Sequence, residues 1–207
     1  MKIKDLKIQA YQTVWDQMKI FVDSREEGSA QEVLLLEHEP VFTLGVAGKE
    51  EHVLINPRNI PLVRSDRGGQ VTYHGPGQLI IYPLINLARC GLTVRGYVTQ
   101  LEQLVIDLLK TYDIDAVRNP DMPGVYVDGA KIASIGIRVR RGWTLHGVSL
   151  NVNMDLTPFS FINPCGVAKQ KMIRICDFVP GISMDEIKAR CNSEFIGRYL
   201  HERAPNS

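Results

Sequence analysis

Two residues in this sequence are set up for reactivity: a thiol in a rigid turn and a lysine built into an apolar strand. Cys165 sits in Asn163-Pro164-Cys165-Gly166, where proline fixes the backbone and the turn presents the sulfur at the end of an element instead of packing it. A thiolate so placed can act as a nucleophile; the alternative is an inert turn cysteine, the commoner case. The other cysteines read differently. Cys191 falls on an apolar helical stripe and Cys176 in the strand-like run Ile173 to Phe178, so both are expected in the core, whereas Cys90 in Arg89-Cys90-Gly91 is a weaker version of the presenting turn.

A nucleophilic thiol needs an activating neighbour, and His74 or His146 is the default partner. Strand register offers another. In Lys131 to Val139 the alternation puts Lys131 on one face with Ala133, Ile135, Ile137 and Val139, while Arg138 and Arg140 project from the other. A partly desolvated ammonium has its pKa lowered from about 10.4, towards exchange of a proton with a thiol of intrinsic pKa about 8.5. The alternative is that Lys131, beside a hairpin turn, reaches back to solvent.

The third unusual feature is the segment Arg67-Gly68-Gly69-Gln70-Val71-Thr72-Tyr73-His74-Gly75-Pro76-Gly77-Gln78, which cannot be helical and reads as a long loop or a loop flanking a short strand. It contains neither G-x-x-x-x-G-K-[ST] nor G-x-G-x-x-G, so a phosphate cradle is not expected. Such a loop can serve turns alone. Here Arg67, Thr72, Tyr73, His74 and Gln78 stand among small or rigid residues that let backbone approach a ligand closely.

The elements that must hold these groups follow from periodicity. Ile8, Tyr11, Trp15, Met18 and Val22 recur at helical steps, predicting a helix from about Ile8 to Glu27. Strands are expected at Val33 to Leu36, Val41 to Thr43, Leu62 to Arg64, Leu79 to Leu84 and Leu145 to Val152. Thr93 should cap a helix with the stripe Val94, Val98, Leu101, Val105 and Leu108, ending near Tyr112. Val125 to Val127 and Lys131 to Val139 flank Asp128-Gly129, a tight-hairpin signature. Ser183-Met184-Asp185-Glu186 is a capping box opening a helix with Ile187, Cys191, Phe195 and Tyr199 on one face. The sum is an α+β domain over residues 1–207: a mixed, largely antiparallel sheet covered by about three helices.

Composition narrows the partners. The 24 Lys and Arg against 23 Asp and Glu leave a net charge of +1, so no global field recruits nucleic acid or an anionic membrane. Attraction to a charged partner must come from a local patch, and Arg138, Arg140 and Arg141 form the densest basic cluster; it could equally be a solvated face. The N-terminus has no signal-peptide run and no apolar stretch is long enough to span a bilayer, which predicts a soluble, unexported protein with reduced cysteines. No Cys or His spacing suggests a metal.

Together these residues resemble the lipoyl(octanoyl) transferases, relatives of the lipoate and biotin protein ligases. Arg67 to Gln78 matches R-G-G-x-x-T-x-H-G-P-G-Q; Gly124 to Gly136 is similar to the hairpin bearing K-I-x-S-I-G; His146-Gly147, Asn151 to Leu156 and Ile162 to Gly166 follow in the expected order. The resemblance covers about Val33 to Asp177. It implies a biotin/lipoate protein ligase-like fold and transfer of an octanoyl group from octanoyl-acyl carrier protein to a lysine of lipoyl domains, in protein lipoylation. Those domains belong to 2-oxoacid dehydrogenase complexes and the glycine cleavage H protein. It further implies that Cys165 is the acyl-carrying nucleophile and that Lys131 lowers its pKa and shuttles the proton. Arg67, Gly68, Gly69, Gln70, Val71, Thr72, Tyr73, His74, Ser134, Ile135, Gly136, Gly147, Val148 and Ser149 would line the acyl pocket, with backbone N–H groups for a developing oxyanion. No cofactor, metal, nucleic acid or membrane partner is implied; the expected compartment is the cytoplasm, with a mature organellar form as the alternative. Exchange of a thioester for an amide runs downhill without ATP. The competing expectations are an ATP-dependent lipoate or biotin ligase, and a non-catalytic acyl-binding module on the same fold.

Overall fold

In the computed structural model the described residues are 1–26, 28–163 and 170–202, and Cys165 lies outside them. Alternating apolar residues build ten strands among the described residues. In chain order these are β1 (Lys2–Gln9), β2 (Glu32–His38), β3 (Val41–Leu44), β4 (Leu62–Arg64), β5 (Val71–His74), β6 (Gln78–Leu84), β7 (Val117–Arg118), β8 (Gly124–Val127), β9 (Ala130–Arg140) and β10 (Trp143–Asn151). Seven form one sheet in the order β1-β2-β6-β10-β9-β8-β7, and three form a small sheet, β4-β3-β5. Only β1 with β2 and β3 with β4 run parallel among these pairs, which gives the mixed, largely antiparallel α+β architecture expected.

Among the described residues four helices cover the sheets: α1 (Tyr11–Asp23), α2 (Val94–Lys110), α3 (Met184–Arg190) and α4 (Ser193–Leu200). One face of the large sheet packs Val33, Leu79, Ile81, Val148 and Leu150 against α2, α3 and α4. The opposite face packs Leu34, Leu36, Ile80, Tyr82 and Leu145 against Val14, Met18 and Val22 of α1. The small sheet has its own apolar cluster, Phe42, Leu44, Val71 and Tyr73 with Phe159 and Phe161. Expected local signals hold: Thr93 Oγ1 accepts the Gly96 N–H at 3.0 Å at the start of α2, and Ser183 caps α3 through the Glu186 N–H. Asp128 and Gly129 both have positive φ, 49° and 76°, the backbone of a two-residue hairpin turn.

Several expectations are corrected. The first helix starts at Tyr11, not Ile8, because residues 2–9 form the edge strand β1, on which Ile8 is 49% exposed. Its inward face is Tyr11, Val14, Met18 and Val22. In α2 Val94 is exposed, and the buried face runs through Tyr97, Leu101, Leu104, Val105 and Leu108. The last predicted helix is two helices, broken where Asn192 accepts the Phe195 N–H and starts α4. Cys176 lies half-buried in a 3-10 turn, Ile175–Asp177, rather than in a strand. Cys90 is buried beside Gln31 and the Leu200 carbonyl, and burial pushes its thiol pKa up, so its turn does not present it.

Candidate active site

The glycine-rich segment folds back because glycines permit contacts that a Cβ would block. A Cβ on Gly45 would lie 2.3 Å from the Gly69 carbonyl oxygen, so the end of β3 and the Arg67–Gln70 loop can touch only through glycine. Arg67 then knots this loop to β3. Its guanidinium donates to the Thr43 carbonyl at 2.5 Å, to Thr43 Oγ1 at 2.7 Å and to the Gln70 carbonyl at 2.8 Å. The Gly68 N–H donates to the Ile137 carbonyl at 2.9 Å, fastening the loop to β9.

These ties lay the loop and β5 over the large sheet and leave a hollow between them. Arg67, Gly69, Gln70, Val71, Thr72 and His74 line it from above, and Ser134, Ile135, Gly136, Gly147, Val148 and Ser149 from β9 and β10. Thus twelve of the fourteen residues predicted for the acyl pocket share one hollow. Gly68 lines the adjoining hollow instead, and Tyr73 turns away to pack on Phe42 and Phe159. Two further residues line the first hollow that sequence reasoning did not assign to it: Tyr82, which reads only as a strand residue, and His146, considered solely as a possible activator.

His146 owes its position to its backbone. Val148 and Leu150 face α2, so strand alternation would send His146 the same way. Its φ of +60° instead turns the ring to the α1 face, stacked on Tyr11 at 6.3 Å, with Nε2 2.8 Å from Asp66 Oδ1. Tyr11 in turn pairs its hydroxyl with Ser65 at 2.7 Å. Behind the hollow His38 Nε2 lies 3.1 Å from the Tyr82 hydroxyl, and His74 Nδ1 2.7 Å from Gln78 Oε1.

Burial holds all three histidines neutral. It lowers His38 to about 4 and His74 well below the ordinary value. At His146 burial outweighs the favourable contact with Asp66, so its pKa is lowered too. Burial acts to raise the Asp66 carboxyl, but the His146 hydrogen bond holds it below its usual value.

The second hollow adjoins the first through Gly69, Gln70, Ile135 and Gly136, and it contains Lys131 together with Val98, Met122, Pro123 and Ile137. Lys131 is 1% exposed, so it does not reach back to solvent. Nζ donates to the Pro123 carbonyl at 3.2 Å and lies 5.2 Å from the Tyr126 ring centre. The stem passes over Gly124, whose φ is +144°; a Cβ there would sit 2.8 Å from Lys131 Cε and 2.7 Å from the Ala133 carbonyl oxygen. The Lys131 backbone receives the chain after Cys165: its N–H donates to the Lys171 carbonyl at 2.9 Å, and its carbonyl accepts the Ile173 N–H at 3.0 Å. Among the described residues no cluster of His, Cys, Asp and Glu could hold a metal, and no helix is long and apolar enough to cross a membrane.

Residues 10–196 match the lipoyl protein ligase A/B catalytic domain. The chain belongs to this family. Within it, similar relatives are octanoyltransferases. That of Pseudomonas entomophila (strain L48) is 52% identical over 94% of this chain and 90% of its own length. That of Legionella pneumophila (strain Corby) is 50% identical over 96% of this chain and 100% of its own. Among solved structures, lipoate-protein ligase A bound with ATP superposes with a TM-score of 0.79 at 17% identity, covering 100% of this chain and 87% of that one. Biotin protein ligase from Aquifex aeolicus gives 0.56 at 12%, covering 97% and 69%. At such identities the likeness concerns the fold, and it bears out the biotin/lipoate protein ligase-like architecture expected.

Proposed function

We propose that this family member performs its octanoyltransferase reaction in two steps through Cys165. The Cys165 thiolate attacks the thioester carbonyl of octanoyl-acyl carrier protein; a new C–S bond forms, the old one breaks, and the carrier leaves as its thiol. The amine of a target lysine then attacks the Cys165 thioester, the amide forms, and the Cys165 thiol is restored. Lys131 takes the proton from Cys165 and returns it to the departing thiol. The acceptors are lipoyl domains of 2-oxoacid dehydrogenase complexes and the glycine cleavage H protein. An archaeal family relative of this fold, the bi-partite lipoate protein ligase of Thermoplasma acidophilum, has been solved in a study with its E2 lipoyl domain, which supports that acceptor class.

The observation that supports the reading is the buried Lys131, bridged through its own backbone to Lys171 and Ile173, which follow Cys165 closely in the sequence. The histidines are poorer candidates for activating the thiol. His74 is depressed by burial and occupied by Gln78, and His146 is turned to Asp66. The ATP-dependent ligase reading has support from the fold alone, whereas relatives of about half identity are named as transferases.

Intact-mass analysis after mixing with octanoylated carrier protein tests the proposal without ATP present. One octanoyl adduct is expected, on Cys165, and Cys165→Ala should abolish it. Lys131→Met should slow adduct formation by roughly 10²-fold or more while the fold persists. An adduct on Cys90, or full activity of Cys165→Ala, overturns the scheme, and an absolute need for ATP favours the ligase.

A further inference from the structure

We propose that Tyr82 is the wall that ends the acyl channel and thereby sets the chain length the enzyme accepts. The inference rests on the acyl-transfer reading of this hollow and adds what limits its substrate.

Strand register shapes the hollow. On the face beneath the Arg67 loop, β9 and β10 pair Ser134 with Ser149 and Gly136 with Gly147. These are small side chains or none at all, so the two strands form the floor of a trough. On the next strand, Ser149 pairs with Ile80 and Val148 with Ile81, which brings Gly147 level with Tyr82. Crossing the sheet from β9 to β6, a ligand therefore meets hydrogen, hydrogen and then a phenol ring. Tyr82 lines the same hollow as both glycines.

Direction follows from the neighbouring hollow. Lys131 joins the trough from the β9 side through Ile135 and Gly136, so the reacting end lies at β9 and the tail points to β6. Adjacent strands stand about 4.8 Å apart, so two strand spacings give a run of roughly 10 Å. Carbon–carbon bonds of about 1.5 Å in a tetrahedral zigzag advance about 1.25 Å each, and an extended octanoyl chain spans roughly 9 Å. The trough and the chain match.

A wall discriminates only if it stays put. Tyr82 is 4% exposed, its hydroxyl is 3.1 Å from His38 Nε2, and its ring meets His146 edge-on at 5.9 Å and 88°. It sits opposite Leu34 of β2, on the face packed by α1. Swinging the ring aside would break the His38 contact and displace this packing.

The test measures kcat/KM for hexanoyl-, octanoyl-, decanoyl- and dodecanoyl-acyl carrier protein with a lipoyl domain as acceptor. Tyr82→Ala should raise the dodecanoyl-to-octanoyl ratio by at least about tenfold, since one methylene against an unyielding pocket wall is worth about 10- to 200-fold. Tyr82→Leu retains more bulk, which guards against a failure to fold, and should favour decanoyl. Tyr82→Phe keeps the ring and should keep the wild-type order of chain lengths. Ser149→Val narrows the floor and should shift preference towards hexanoyl. Circular dichroism establishes that each variant is folded. Unmoved ratios in folded Tyr82→Ala and Tyr82→Leu overturn the wall, as does a Tyr82→Phe protein that opens as far as Tyr82→Ala. A wild-type protein that transfers no octanoyl group overturns instead the reading on which it rests.

Discussion

His38 makes the stability of the fold depend on pH in a calculable way. Its ring is buried between Tyr11, His74 and Tyr82, with Nδ1 3.1 Å from the Gln9 carbonyl and Nε2 3.1 Å from the Tyr82 hydroxyl. Burial lowers its pKa from 6.5 to about 4, and the neighbouring His146 pushes in the same direction. Because the folded pKa is depressed, the unfolded chain takes up the proton first as pH falls. Stability is therefore full above about 6.5 and is lost as pH drops towards about 4. Across that interval His38 forfeits about 3 kcal/mol, roughly 6–12 °C in Tm for a chain of this size. Asp5 and Asp155 are held down to about 2, so their losses come mainly below this window. Urea unfolding at pH 7, 6, 5 and 4 should show the decline in the wild type, and a slope shallower by about 3 kcal/mol in His38→Gln. Parallel curves for the two proteins would refute the argument, because burial of the His38 ring would then carry no protonation cost.

Two further outcomes follow from other contacts. Gly124→Ala should cost about 1–3 kcal/mol in thermal unfolding, because φ +144° is glycine territory and the new Cβ meets Lys131 Cε and the Ala133 carbonyl. It should also slow octanoyl transfer, by shifting the lysine. The basic patch expected to steer an acidic carrier is partly engaged, since Arg140 pairs with Asp23 Oδ1 at 3.0 Å and Arg141 donates to the Asp23 carbonyl. Arg138→Glu alone therefore tests docking without disturbing α1: KM for the carrier should rise at low salt, while turnover of a small octanoyl thioester stays constant.

What the sequence disclosed follows its local physics. Asp128-Gly129 specifies the hairpin, and Thr93 and Ser183 specify helix starts. Simple alternation misplaces Lys131, because a bulge in the β8–β9 ladder sets it opposite Tyr126 and against Gly124 instead of on the face of Ile135 and Ile137. What it withheld depends on partners distant in the chain. β1 alternates lysine with isoleucine, the dress of an edge strand, yet Ile8 also continues the spacing of α1, and only the pairing with β2 decides. Cys90 sits between Arg89 and Gly91, which suggests exposure, until Gln31 and the Leu200 carbonyl cover it. Tyr82 is one apolar residue among seven buried in β6, and its place at the end of a trough appears only when Gly136 and Gly147 are aligned beside it. The left-handed backbone of His146 has no local signal, because glycine follows it rather than occupying the position.

The order of strands in the large sheet also governs when the protein can first become active. β6 ends at Leu84, and its neighbour β10 begins at Trp143. The roof of the trough, from Arg67 to His74, is thus synthesised long before its floor. Until β9 and β10 join β6, a growing or partly folded chain holds the roof segment with nothing beneath it. Pairings of such long sequence separation form late and slowly, because the intervening loop must close before contacts reward it. Acyl-transfer competence in refolding should consequently lag behind helix formation, and a kinetic trace of regained activity would report closure of the β6–β10 seam.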